Sequence, residues 1–246
     1  MKIRLNFLKK KKESFYDIDL KELIKQKGND TAFPFGKPYP ILNERFESSG
    51  TLSGHYFHQD LLVARKIFVD NPENHLDIGS RTDGFVAHVA VFRKIEVMDI
   101  RELNSKVPNI EFTKADLMQL PDKMVNKYSS ISTLHVVEHF GLGRYGDPVD
   151  YFGHLKAIEN ITKMLKKGGK LYFSTPIGPQ RIEFNAHRVF NVKYLLDIFN
   201  ENFDLHSFSY VDDEGDLFES VTLGNDKFKN NFGCQYGCGI FELIKK

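Results

Sequence analysis

The stretch HVVEHFGLGRYGDP, residues 135–148, concentrates side chains whose types and spacing could do chemistry. His135, Glu138 and His139 follow the spacing i, i+3 and i+4, so one helical turn would place all three on the same face. Two imidazoles and a carboxylate suit a divalent transition metal, and a neutral imidazole can also accept a proton from a substrate. We therefore predict that this stretch contributes to an active site, with or without a metal ion.

The glycine-rich part of the same stretch predicts contacts to a substrate. Arg144 could bind a phosphate through two parallel hydrogen bonds, Asp147 could hold a sugar hydroxyl, and Tyr145 lies between them. A surface turn closed by an Arg–Asp pair is the alternative. Three residues of other segments are also predicted to contact the substrate: His58, Arg181 and Arg188. For His58, capping and packing of an early helix is the alternative.

The elements that must position these residues alternate along the chain. Residues 55–70 have apolar side chains at helical spacing, and strands then alternate with helices before two final strands, 203–213 and 238–246. This order predicts a Rossmann-like α/β fold, a mostly parallel seven-stranded sheet with helices on both faces and an antiparallel hairpin at one edge. The other predicted helices are 83–92, 150–169 and 191–199, and the other predicted strands are 74–79, 94–100, 110–117, 128–137 and 170–178.

Small and acidic residues follow these strands at the end where ligands bind in such sheets. Asp77 and Gly79 lie at the end of the first predicted strand, and Asp99 comes 20 residues after Gly79, where a carboxylate can bind two ribose hydroxyls. Asp116 follows the third strand. A turn or a helix cap is the alternative for each aspartate alone. Together they predict a nucleotide-binding site.

These segments, over about residues 72–210, resemble class I S-adenosylmethionine-dependent methyltransferases. The motif LDIGSRTDG is similar to their first motif, with Arg81 in place of its middle glycine, and MLKKGGKLYFSTP is similar to their turn into the fifth strand. The resemblance implies S-adenosylmethionine as cofactor; a Rossmann-like domain for another nucleotide is the alternative. The residues that it implies as cofactor contacts are Asp77, Gly79, Ser80, Asp83, Gly84, Phe85, Asp99, Asp116, Leu117 and His135.

A narrower resemblance bears on the substrate. The segments DIGSRTDGFVAHVAVF, STPIG and FNAHRVF, with the opening stretch, are similar to a bacterial methyltransferase-like family that is associated with surface-glycan biosynthesis. This resemblance implies an O-methyltransferase that acts on a hydroxyl of a sugar or a sugar nucleotide in capsule biosynthesis. Fold and family alone do not fix a substrate.

The metal hypothesis rests on a third resemblance. The metal-dependent small-RNA 2′-O-methyltransferases carry Glu-x-x-Glu-His after the fourth strand and a further histidine after the fifth strand. This chain has His135, Glu138 and His139 at the first place and His187 at the second. Three histidines and a carboxylate would favour Fe, Mn or Zn. Many metal-free methyltransferases also carry a glutamate and a histidine after this strand. If no metal binds, His139 or His187 would be the catalytic base, with Glu138 beside it. H-x-x-E-H also occurs in zinc proteases, but those carry it on a longer helix.

Bulk properties limit the remaining possibilities. A net charge of +1 and the lack of a basic stripe argue against nucleic acid as partner and thus against an RNA ribose methyltransferase, the second hypothesis. The third hypothesis is a non-catalytic cofactor-binding subunit, because Arg81 replaces a glycine of the cofactor loop. The two cysteines, Cys234 and Cys238, predict reduced thiols in a cytoplasmic chain, with a metal or redox pair as the alternative. No signal peptide or membrane span is predicted.

Two regions divide the chain. Residues 29–54 are rich in proline and glycine, so we predict a helical and irregular appendage and connector over 1–54 and the main domain over 55–246. The basic run 9–12 predicts a solvated tail, with contacts to anionic lipid, nucleic acid or a partner as the alternative.

Overall fold

The computed structural model describes residues 14–120, 122–224 and 227–246, and the chain forms two compact units, residues 1–51 and 52–246. The basic run 9–12 lies outside the described residues. In the first unit, helix α1 (Phe15–Lys27) begins at Ser14, whose hydroxyl accepts a hydrogen bond from the Asp17 N–H, while the Asp17 carboxylate returns the contact to the Ser14 N–H. These reciprocal bonds satisfy donors that a helix start leaves free.

An eight-stranded sheet forms the centre of the second unit, so the predicted count of seven was wrong by one strand. Its strands are β1 (Leu76–Ile78), β2 (Ile95–Asp99), β3 (Ile110–Lys114), β4 (Tyr128–Leu134), β5 (Leu165–Ile177), β8 (Phe203–Val211), β9 (Leu217–Phe218) and β10 (Gly237–Lys245); a separate hairpin pairs β6 (Arg181–Glu183) with β7 (His187–Val189). The order is β3-β2-β1-β4-β5-β10-β8-β9. Strands β1 to β5 form the parallel part of the sheet, and β10 is antiparallel to both β5 and β8.

The end of the chain pairs differently from the prediction. β8 and β10 are antiparallel, as expected, but β10 lies inside the sheet between β5 and β8. The two-residue strand β9, which pairs with β8, takes the edge position instead. β10 is buried on both faces over most of its length, which is consistent with its apolar run GIFEL.

Helices cover both faces of the sheet, as predicted. One apolar cluster includes residues of α4 (Gly153–Met164) and α5 (Val192–Phe199); the other includes residues of α2 (His55–Asp70) and α3 (Ala87–Ala90). The predicted helix 150–169 ends at Met164, because Leu165 pairs with Tyr128 and a bulge follows before Lys170 pairs with Ser130. Among the described residues, no helix has the length and apolar character needed to cross a membrane.

Candidate active site

A cavity of about 610 Å³, partly open to solvent, lies beyond the carboxyl ends of the parallel strands. Five of the predicted cofactor residues line it: Gly79, Asp99, Asp116, Leu117 and His135. An open cleft of about 1630 Å³ shares several of these residues and continues past Ser80, Asp83, Glu138, His139 and His187. The structure therefore brings most of the predicted cofactor residues and the H-x-x-E-H segment to one continuous space.

Gly79 ends β1 in a conformation that favours glycine. Its φ is +70°, and its N–H donates to the Met98 carbonyl oxygen at 2.8 Å. A Cβ atom at this position would lie 2.8 Å from Cγ1 of Val136, closer than real Cβ contacts. The missing side chain thus makes room for Val136 against a turn that glycine adopts without strain.

Asp77 is fully buried beneath this turn and organises it. Its carboxylate accepts hydrogen bonds from the Ser80 N–H at 3.0 Å, the Ser80 hydroxyl at 2.7 Å and the Ser132 hydroxyl at 2.6 Å. Burial raises the pKa of Asp77 to about 6, although these hydrogen bonds oppose the shift. The resemblance implied that Asp77 contacts the cofactor, but Asp77 does not line the cavity. Asp77 therefore positions the loop.

The chain of polar contacts continues behind Asp77 to a second buried residue. His75 lies between two serines, with Nε2 at 3.0 Å from the Ser132 hydroxyl and Nδ1 at 2.8 Å from the Ser130 hydroxyl. Because Ser132 donates to Asp77, it accepts from His75, which places the proton on Nε2. Burial lowers the pKa of His75 to about 3, so this ring is neutral. Sequence reasoning missed this support, since histidine before a strand gives no sign of its partners.

Arg81 fits the loop although it replaces a glycine of the motif. Its φ of −64° and ψ of 127° are extended backbone that any residue can adopt. Its guanidinium forms an exposed ion pair with Asp83, at 2.8 Å. Gly84 meets a real restriction instead, because a Cβ there would lie 2.6 Å from Oδ2 of Asp60. The predicted helix after this loop begins as a π-helical turn over Thr82–Val86, which buries Phe85.

Asp99, the predicted ribose-binding acid, lines the cavity at the end of β2. Its carboxylate accepts hydrogen bonds from Nε and Nη2 of Arg101, at 3.0 and 2.7 Å, and from the Arg101 N–H at 2.7 Å. The Arg101 guanidinium also lies over the Tyr145 ring, 4.6 Å from its centroid. Arg101 is more than half exposed, so a ligand can displace it from Asp99. The sequence analysis did not single out Arg101.

Asp116 and Leu117 line the same cavity, just after the neighbouring strand β3. The Asp116 carboxylate accepts from the Met118 N–H at 2.9 Å, as in an aspartate turn. Leu117 is buried, and its carbonyl accepts from Asn160 at 2.8 Å. This wall therefore offers an apolar surface next to backbone polar groups, an arrangement that suits an adenine ring.

His135 and Glu138 form a buried pair at the end of β4. His135 has a φ of +55°, and its Nδ1 lies 2.9 Å from Oε1 of Glu138. Burial raises the pKa of Glu138, but the hydrogen bond and charge of His135, the charge of His139 and a backbone hydrogen bond together outweigh it and hold the pKa below its ordinary value. Burial lowers the pKa of His135, whereas the neighbouring Cys238 and Glu138 raise this pKa. The resulting pKa of His135 is well above its ordinary value. Glu138 is therefore ionised.

His139 is the histidine best placed to accept a proton. Its Nδ1 lies 2.7 Å from the Ala186 carbonyl, so Nδ1 carries the proton and Nε2 has the lone pair. Nε2 lies 3.8 Å from Oε1 of Glu138, too far for a hydrogen bond. Burial lowers the pKa of His139, and the nearby Glu138 carboxylate partly opposes this. His139 lines both the cavity and the cleft.

His187 lies in the cleft, but it does not join the other three predicted metal ligands. Its Nε2 is 2.9 Å from Oε2 of Glu183, within the β6–β7 hairpin. Among the described histidines, cysteines and acids, the group of three whose donor atoms all lie within 4.8 Å of one another consists of His55, His135 and Cys238. Of the predicted metal set, only His135 belongs to it.

The predicted substrate residues divide into two groups. Arg144 and Tyr145 line the cleft, and Arg144 donates to the Ala186 carbonyl at 2.9 Å. The second group has structural contacts. The Asp147 carboxylate accepts from the N–H groups of Gly141 and Tyr145, at 2.8 and 3.2 Å, and so closes its own loop.

Two arginines and a histidine complete the second group. Buried Arg188 donates to the carbonyls of Phe140 and Tyr151, at 2.6 and 3.1 Å, and Arg181 bonds Glu183 at 2.7 Å. These guanidinium groups are engaged within the protein, so the predicted phosphate contacts are not apparent for them. His58 does not line the cavity or the cleft; its ring packs edge-on against Phe57.

Comparisons with known proteins agree with this architecture. The sequence profile of a family described as "Caenorhabditis protein of unknown function, DUF268" matches residues 80–235. No curated protein matches the sequence. Among solved structures, the (4+2)-cyclase SpnF is 14% identical with a TM-score of 0.55, over 76% of this chain and 80% of its own.

Two methyltransferases are similar in structure to the same extent. The 1,6-didemethyltoxoflavin-N1-methyltransferase of Burkholderia thailandensis, with its substrate and S-adenosylhomocysteine bound, is 11% identical with a TM-score of 0.53, over 76% of this chain and 78% of its own. The N-methyltransferase NodS of Bradyrhizobium japonicum, in complex with S-adenosylhomocysteine, is 15% identical with a TM-score of 0.50, over 78% of this chain and 88% of its own. These likenesses confirm the predicted Rossmann-like methyltransferase fold.

Proposed function

The chain belongs to the DUF268 family, and we propose that it is an S-adenosylmethionine-dependent methyltransferase that methylates a hydroxyl oxygen. The observation that carries the proposal is the cavity beyond β1 to β4, which joins a cleft that contains His139. A cyclase shares the fold, so the fold alone does not decide the chemistry. The proposal therefore rests on the residues that line this space.

The chemistry of the cavity walls suits the cofactor. Gly79 lines the cavity with backbone atoms alone, Asp99 offers a carboxylate suited to ribose hydroxyls, and Leu117 offers an apolar surface for adenine. His135 lines the part of the cavity that adjoins the cleft. When bound, S-adenosylmethionine supplies an activated methyl group, so the protein must orient the acceptor and remove its proton.

His139 is the proposed base for that proton. The neutral ring, fixed by the bond from Nδ1 to the Ala186 carbonyl, presents the lone pair of Nε2. After Nε2 takes the proton, the Glu138 carboxylate at 3.8 Å stabilises the positive ring. Glu138 is itself fixed by His135. We thus assign His139 a catalytic role and Glu138 a positioning role.

The acceptor class that we propose is a sugar or a sugar nucleotide of surface-glycan biosynthesis. It rests on the sequence resemblance, and the cleft is compatible with it: Arg144 supplies a cation for a phosphate, and Tyr145 an aromatic surface for a sugar ring. The predicted metal site of His135, Glu138, His139 and His187 stays a prediction. Its support is weak, because among the described residues no three of these four bring donor atoms within 4.8 Å of one another.

Release of S-adenosylhomocysteine from labelled S-adenosylmethionine tests the proposal, with sugar nucleotides, free sugars and an RNA oligonucleotide as acceptors. His139→Gln should lower the rate by about 10²- to 10⁴-fold, the usual contribution of a general base, while binding of S-adenosylhomocysteine persists. His206→Gln, a change at a half-exposed histidine outside the cleft, is the matched control and should keep the rate. Methylation of RNA alone would favour the ribose methyltransferase, and binding without transfer to any acceptor would favour a non-catalytic subunit.

A further inference from the structure

Three side chains from distant parts of the second unit converge next to the cleft. His55 begins α2, His135 follows β4, and Cys238 lies in β10. One donor atom of each lies within 4.8 Å of the other two. His135 and Cys238 are buried, and His55 is partly buried. Two imidazole nitrogens and a sulfur form a donor set typical of soft transition metals.

The orientation of His135 is that of a metal ligand. Its Nδ1 is paired with Oε1 of Glu138 at 2.9 Å, so the lone pair or the second proton is on Nε2. Nε2 is buried and has no hydrogen-bond partner among the described residues. A carboxylate that holds one ring nitrogen while the other faces a metal is the usual arrangement around metal-bound histidine. An ion would satisfy the atom that the protein leaves unpaired.

Cys238 has weak partners of its own. Its side chain is fully buried, and its sulfur lies 3.7 Å from Oε1 of Gln59 and 3.9 Å from the Gly239 carbonyl. These are long contacts to a weak donor, so the thiol gains little from them. The other cysteine, Cys234, is also buried and free but does not belong to the group. The two cysteines of the CxxxC segment therefore have different surroundings.

His55 is the partly exposed member of the three. Its ring is nearly parallel to the His135 ring, with the centroids 5.3 Å apart. Metal–nitrogen and metal–sulfur bonds of about 2.0–2.3 Å bring the donor atoms of a tetrahedral site to roughly 3.5 Å from one another. Because the donor atoms already lie within 4.8 Å of one another, shifts of no more than about 1 Å bring them to these separations.

We propose that His55, His135 and Cys238 bind one soft divalent transition-metal ion such as Zn²⁺. On binding, the thiol loses its proton and His135 loses the proton of Nε2, and the two neutral imidazoles complete three protein ligands. The fourth position is left to water or to an acceptor oxygen, because His135 and the neighbouring Tyr236 border the cleft. The site differs from the predicted four-residue set, and it does not depend on methyl transfer.

Cobalt substitution of the full-length protein tests the site. The protein is stripped with a chelator and titrated with Co²⁺, and the absorption of thiolate-to-cobalt charge transfer is recorded. We expect one equivalent to produce this band. The band should disappear in Cys238→Ser and persist in Cys234→Ser, a matched change at the neighbouring free cysteine. It should shift or weaken in His55→Gln.

The controls separate misfolding from loss of the ligand. Circular dichroism checks the fold of each variant, and if Cys238→Ser does not fold, the partly exposed His55 decides through His55→Gln. Absence of the band in the wild type, or its persistence in both Cys238→Ser and His55→Gln, would overturn the proposal. Binding of S-adenosylhomocysteine is measured on the same samples, so that failure of the metal site and failure of the proposed function are told apart.

Discussion

Substitution of Gly79 by alanine should damage the cofactor cavity by a defined route. A residue with a side chain at a φ of +70° is strained by about 1–2 kcal/mol. The new Cβ would also lie 2.8 Å from Cγ1 of Val136, and overpacking of this kind costs a further 1–3 kcal/mol, roughly. We therefore expect Gly79→Ala to lower the free energy of unfolding by about 2–5 kcal/mol in total.

Gly168→Ala is the matched control for the strain alone. Gly168 has a φ of +75°, and nothing lies within 4 Å of the Cβ position. Urea unfolding of both variants should show the larger loss for Gly79→Ala, and thermal shift with S-adenosylhomocysteine should weaken only for that variant. Val136→Ala, combined with Gly79→Ala, should remove the contact and recover part of the loss. Equal losses in the two glycine variants, with unchanged ligand binding, would refute the reasoning.

Four further substitutions probe the surroundings of the cavity. Burial raises the pKa of Asp60 from 3.8 to about 6, so this carboxyl stabilises the fold below pH 4 and loses that contribution as the pH rises to about 6. Asp60→Asn should therefore raise the free energy of unfolding above pH 6 by up to about 3 kcal/mol and change it little at pH 4. Urea unfolding at both pH values checks this expectation. Asp99→Ala should weaken binding of S-adenosylhomocysteine about 10- to 100-fold in calorimetry, whereas Arg101→Ala, which frees the Asp99 carboxylate, should not weaken it. Arg188→Leu should lower the melting temperature and the free energy of unfolding by at least about 2 kcal/mol, because buried carbonyls lose their donors; an unchanged melting temperature would contradict the structural role.

The local sequence pattern was enough to predict the parallel half of the sheet. Strands β1, β2 and β4 are short and mostly buried, they end at or just before Gly79, Asp99 and His135, and the alternation with helices fixes their direction. Since the carboxyl ends of parallel strands meet at one edge, residues far apart in sequence could be expected to line the same cavity. Periodicity and turn chemistry are local signals, and this part of the fold depends on them.

The remaining features depend on tertiary contacts that a local pattern does not contain. LKKGG has the appearance of a helix end, yet Leu165 already pairs with Tyr128 in the sheet. Arg181 and Arg188 were plausible phosphate ligands by residue type, but backbone carbonyls and Glu183 engage them. The convergence of Cys238 on His135 arises only from the placement of β10 inside the sheet.

Calorimetric titration of the purified chain with S-adenosylhomocysteine is the most direct test of the central claim. The proposed function predicts saturable binding at one site per chain, weakened by Asp99→Ala and by Gly79→Ala. At roughly a hundredfold excess over its dissociation constant, the ligand should also stabilise the fold by about 3 kcal/mol. No saturable binding to the folded wild-type protein, by heat or by thermal shift, would contradict the assignment of the cavity beyond β1 to β4 as a cofactor site.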